Sequence, residues 1–160
     1  MISPLHLRIR ALRDDSGAAL VEFALVLPLL LVLLLGMLDF GKAFNYWIDE
    51  THLAASGARW AAVNTNPGGG SLQSYIQAQA DTAELRNGGT AQMPSPAQVC
   101  ISFPNGTSNP GDPVTVTVSA TYNWLGYIRS RLGTASTNIS GSATMRLEAT
   151  PTNFSAGCTS

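Results

Sequence analysis

The sequence predicts an α+β chain in which a long N-terminal membrane-spanning helix precedes a small exported domain with a short helix and a roughly three-stranded antiparallel sheet. Three observations carry this expectation. Residues 18–38 form an apolar run interrupted by one ionisable side chain, Glu22. From Thr65 onward Ser, Thr, Asn, Gly and Pro become abundant, so the two parts of the chain suit two different solvents. Within the later part, three segments alternate apolar and polar residues with period two, the pattern of strands with one buried face.

The run Ala18–Leu38 reads AALVEFALVLPLLLVLLLGML. At about 1.5 Å per residue it reaches about 31 Å as a helix, matching the ~30 Å hydrocarbon thickness of a bilayer. A secretory signal peptide would have a shorter apolar region ending in a small-x-small cleavage site, which Asp39-Phe40-Gly41-Lys42 does not supply. Arg8, Arg10 and Arg13 precede the run, whereas Lys42 stands among Asp39, Asp49 and Glu50 after it. The positive-inside rule therefore places the N-terminus in the cytoplasm and exports the remainder. The expected organisation is a basic leader over 1–17, a transmembrane helix over 18–38, its extracytoplasmic continuation over 39–64, and an α+β domain over 65–160.

No Gly-Pro punctuation falls between Asp39 and Asn64, so the helix is expected to continue past the membrane surface. Phe40, Phe44, Tyr46 and Trp47 suit an interfacial aromatic belt, while Phe40, Phe44 and Ile48 also have the spacing of a helical core stripe. Leu53, Ala54, Ala55, Gly57, Ala58, Ala61 and Ala62 would let another backbone approach closely, from within the chain or from another subunit. Asn64-Thr65-Asn66-Pro67-Gly68-Gly69-Gly70-Ser71 ends the helix.

Leu72–Arg86 reads as a second helix with Leu72, Ile76, Ala80 and Ala83 on one side, closed by Asn87-Gly88-Gly89. The strands follow. Val99, Ile101 and Phe103 define the first; Val114, Val116, Val118, Ala120 and Tyr122 the second; Ile139, Ala143, Met145 and Leu147 the third. The first helix is the natural cover for their apolar face. Trp124-Leu125-Gly126-Tyr127-Ile128, between the second and third strands, is either a core plug or an exposed contact for another subunit. Cys100 and Cys158 both lie in the exported part, where a disulfide is stable. The alternative is two separate small apolar residues. Alternation puts Cys100 opposite Val99 and Ile101, on the outer face of the sheet.

Composition excludes some functions. A net charge of −1 and the lack of a Lys/Arg cluster outside the leader remove the footprint of a nucleic-acid binder. His6 lies in the leader and His52 stands alone on the long helix, with no nucleophile elbow, phosphate loop or metal-ligand cluster beside them. No enzyme activity, cofactor or metal is expected. The triplets at Asn105, Asn138 and Asn153 carry little weight in an Asn- and Ser-rich sequence.

The informative constellation is Gly17, Glu22 and Phe23. An ionisable residue inside an apolar helix costs up to about 2.5–3.5 kcal/mol at mid-membrane, less near the end, and calls for a partner. Cleavage between Gly17 and Ala18 would remove the basic leader and create an ammonium at Ala18, four residues before Glu22 and in the same helical turn.

The stretch Arg13-Asp14-Asp15-Ser16-Gly17-Ala18-Ala19-Leu20-Val21-Glu22-Phe23-Ala24-Leu25-Val26-Leu27-Pro28, with Gly57-Ala58-Arg59-Trp60-Ala61-Ala62, resembles the TadE-like pseudopilins of tight-adherence pili. The likeness covers about residues 13–64. It implies cutting after Gly17 by a prepilin peptidase in the membrane, and a role for Glu22 in subunit assembly. The implied partners are the bilayer, that peptidase, other pilins and pseudopilins, and an assembly platform in the bacterial inner membrane. Major pilins of this system often carry Tyr after the glutamate and are much shorter. Phe23 and the sizeable exported domain look instead like a minor pseudopilin, without the large adhesion-type domain of TadG-like relatives. Two other readings stay open: an unprocessed anchored binding module that keeps residues 1–17, and a secreted protein that loses the whole apolar helix.

Overall fold

The computed structural model describes residues 15–126 and 135–159. His6 and the leader arginines Arg8, Arg10 and Arg13 lie outside the described residues, as do Tyr127 and Ile128. The chain divides into two compact units, one ending at Gly36 and one beginning at Met37. Helix α1 spans Asp15–Ala62, followed by α2 (Leu72–Ala78) and α3 (Ala83–Asn87). Strands β1 (Gln98–Ser102), β2 (Pro113–Asn123), β3 (Ser136–Arg146) and β4 (Gly157–Cys158) form one antiparallel sheet in the order β3-β2-β1-β4.

In the first unit the apolar side chains of α1 are uncovered all round: Leu25, Leu29, Leu30 and Leu33 each leave half or more of their surface bare. A helix hydrophobic on every side needs an apolar solvent, and its own backbone bonds are satisfied internally. Among the described residues this is one helix long and apolar enough to cross a membrane. Among the described residues it is the candidate membrane anchor.

In the second unit α1 becomes one-sided. Asp39, Ala43, Tyr46, Glu50, Leu53, Ala54, Ala58 and Ala61 are buried at steps of three and four, one face of a helix. Opposite them lie Val114, Val116, Val118, Ala120 and Tyr122 of β2 with Val99 and Ile101 of β1. The register Val116↔Ala143, Val118↔Gly141 and Ala120↔Ile139 carries the same face onto β3. The small residues of α1 thus find their partner inside the chain. A Cβ on Gly57 would fall 2.6 Å from Ile76 Cδ1 and 3.2 Å from Val116 Cγ1. On the strand side Gly141 meets the backbone of Glu50 and Thr51 so closely that a side chain would fall 2.6 Å from the Glu50 carbonyl carbon.

The expected helix Leu72–Arg86 is two helices. Ser71 caps α2 by accepting from Ser74 N at 3.1 Å, and Thr82 caps α3 by accepting from Leu85 N at 3.4 Å. Between them Asp81 N leaves helical pairing to donate to Asp49 Oδ2 of α1 at 3.0 Å. The break resets the inward phase, so Leu85 is buried and Ala83 is exposed. The tail adds β4, a fourth strand beyond the three expected, on the free edge of β1 through Cys100↔Cys158 and Ile101↔Gly157. Gln73 Nε2 fastens it by donating to Ser155 O at 2.8 Å, and Thr159 N donates to Val99 O at 2.9 Å.

Candidate functional site

The residues singled out from sequence fall in both units. Gly17, Ala18, Glu22 and Phe23 lie in the first two turns of α1 and are exposed. Among the described residues nothing lies within 4 Å of where a Gly17 side chain would project. Glu22 is one turn beyond Ala18, and meets no hydrogen-bond or ionic partner among the described residues. In the uncut chain residue 18 carries an amide, and no ammonium stands there to receive the carboxylate.

Cys100 and Cys158 are joined by a disulfide (S–S 2.00 Å) across β1 and β4, in the second unit. Val99 and Ile101 are buried while Cys100 is half-buried, which puts the bond on the face of the sheet away from α1. His52 is exposed. Among the described residues no three of His, Cys, Asp or Glu come together as metal ligands would.

Three carboxylates that count in the sequence as flanking charges, Asp39, Asp49 and Glu50, are buried. Asp39, 2% exposed, accepts from Tyr122 OH at 2.6 Å through Oδ1 and from Leu125 N at 2.7 Å through Oδ2. It ties α1 to the end of β2 and to the turn that follows. Leu125 has φ 50°, a left-handed conformation that costs a non-glycine residue about 1–2 kcal/mol. The Asp39 bond to its amide helps to hold it there. Phe40 stacks on Trp124 at 6.3 Å, Tyr122 meets Trp124 edge-on at 5.1 Å, and Trp124 Nε1 donates to Thr137 Oγ1 at 2.9 Å.

Glu50 is fully buried between helix and sheet, and among the described residues neither carboxyl oxygen has a hydrogen-bond partner. Burial, with a smaller push from Asp49, raises its pKa from 4.5 to about 8. Asp49 is also raised, chiefly by burial, and its bond from Asp81 N opposes the shift. Asp39 and Glu50 were detectable in principle: eleven residues apart, three helical turns, they share the phase of Ala43, Tyr46, Leu53 and Ala54.

Residues 17–59 match the family model described as TadE-like protein. That family is one of structural, pilus-associated proteins. No curated protein and no solved structure matches the chain.

Proposed function

We propose that the chain is a minor pseudopilin of a tight-adherence pilus, a structural or assembly subunit cut after Gly17 by a prepilin peptidase. One observation carries the reading. Within the TadE-like segment the uncovered apolar run 18–38 holds a single carboxylate, Glu22, five residues after a glycine. Cutting there would leave Ala18 as an ammonium next to that carboxylate, and the pair would offset much of the cost of placing a charge at the membrane edge. A neighbouring subunit's ammonium would serve equally and would fix axial register between helices. The bond to be cut sits in the first turn of α1. Gly17 lowers helix stability there by about 1 kcal/mol relative to alanine, which helps the segment open into a peptidase site. Residues 18–38 would span the inner membrane with the leader in the cytoplasm, and residues 39–160 would face outward for other pilins and the assembly platform.

The test is the mature N-terminus. In cells containing the peptidase, mass spectrometry is expected to find Ala18 first, and Gly17→Leu to leave the leader attached because the bulkier side chain obstructs a site shaped for glycine. Unchanged processing of Gly17→Leu, or a mature protein retaining residues 1–17, overturns the assignment.

A further inference from the structure

We propose that the membrane-facing end of the exported domain, centred on Trp124 and Leu125, rests in the interfacial layer of the bilayer, so that no stalk separates domain and membrane. This rests on the reading of residues 18–38 as the span. Asp39 is the residue next to Leu38, one helical rise of about 1.5 Å past the hydrocarbon edge. The interfacial layer on each side of a bilayer is about 5–7 Å deep, so Asp39 lies within it.

Whatever is fixed to Asp39 shares that depth. Its carboxylate binds Tyr122 OH at 2.6 Å and Leu125 N at 2.7 Å, and the next residue, Phe40, stacks on Trp124. The turn after β2 is thereby held at the level of the first residue beyond the span. Its chemistry suits the place. Trp favours the interface because its apolar ring carries one polar atom, and Trp124 is only half-buried. Phe40 and Phe44, 64% and 51% exposed, extend the apolar surface along the outward face of α1. The occupant is the bilayer. A partner protein at this level would have to displace lipid already adjoining residue 38.

The experiment uses the full chain in phosphatidylcholine vesicles carrying bromine atoms at a known shallow acyl depth. One variant keeps Trp124 as the sole tryptophan (Trp47→Phe, Trp60→Phe), and another keeps Trp60 (Trp47→Phe, Trp124→Phe). A third places a tryptophan mid-span by Leu30→Trp, with all three native tryptophans replaced by Phe. Trp124 fluorescence is expected to fall at least two-fold while Trp60 is unquenched. Quenching at residue 30 without quenching at Trp124 leaves the span intact and overturns the resting position. Equal quenching of Trp60 and Trp124 overturns it too, since contact would not be confined to this end. Absence of quenching at both 30 and 124 sinks the span reading and this inference with it. Should the doubly and triply substituted variants lose their fold, 19F spectra of the wild-type chain labelled with 5-fluorotryptophan, assigned with the single substitution Trp124→Phe, give the same answer. The resonance lost in Trp124→Phe must be the one broadened by spin-labelled lipid, and its staying sharp refutes the inference.

Discussion

Replacing Glu50 by glutamine is expected to remove most of the pH dependence of the domain's stability. Glu50 is fully buried and both its oxygens lack partners, so ionising it in place exposes a bare charge to an apolar seam. Below pH 4.5 the acid is protonated whether the chain is folded or not, and it costs little. Between 4.5 and about 8 the unfolded chain releases the proton and the folded one keeps it. Stability therefore falls as pH rises, by up to about 1.4 kcal/mol per pH unit. Above about 8 both states are ionised and the loss is complete. Over the whole interval the ceiling is about 5 kcal/mol, enough to unfold a domain whose total stability is about 5–15 kcal/mol. The assay is urea unfolding of the full chain in neutral detergent micelles, followed by tryptophan fluorescence from pH 5 to 9. Glutamine mimics the neutral acid at every pH, so wild type and Glu50→Gln should be of similar stability at pH 5 and diverge in favour of the variant toward pH 8.5. Asp49, raised in the same direction, is common to both proteins and cancels in the difference. A wild-type minus variant difference that does not change with pH would refute the claim that Glu50 is held neutral.

Three further outcomes are expected. Cys158→Ala should lower stability by about 4 kcal/mol on the chain-entropy account of closing a loop across a separation of 58 residues, read as a lower urea midpoint, and should leave Cys100 open to alkylation under non-reducing conditions. Gly141→Ala should destabilise by about 1–3 kcal/mol through overpacking against the α1 backbone, whereas alanine at Gly69, where nothing lies within 4 Å, should be close to neutral by the same unfolding assay. Glu22→Ala should leave membrane insertion and removal of the leader intact while abolishing crosslinks to other pilus subunits, and retention of those crosslinks would reduce Glu22 to a tolerated interfacial carboxylate.

The parts of the fold legible in sequence are those with a one-dimensional signal. The apolar run shows its length directly, and the alternation in β2 and β3 shows its face, because side-chain direction on a strand is set by parity alone. The break between α2 and α3 left no such signal. It depends on Asp49, more than thirty positions earlier, drawing Asp81 N out of helical pairing. β4 was missed because two residues cannot display a period, although the cysteine within it pointed to the strand it joins. Gly141 reads in sequence as an interruption of a strand. Its necessity lies in the approach of another backbone.

Two of the buried acids of α1, Asp39 and Glu50, show most clearly where charge alone misleads. Counted as flanking negatives, Asp39 and Glu50 served the argument for orientation equally well whether exposed or buried. Their helical phase carried more information, since both repeat with Ala43, Tyr46 and Leu53, and a charge in phase with a core stripe must be bonded or neutral. The structure supplies one case of each. Asp39 is satisfied by Tyr122 and the amide of Leu125, and it holds a strained turn in place. Glu50 has no such donor and is held neutral below about pH 8. Within the second unit α1 is thus bonded to the sheet at one point through Asp39, and three turns on it packs a carboxyl whose burial favours the protonated form.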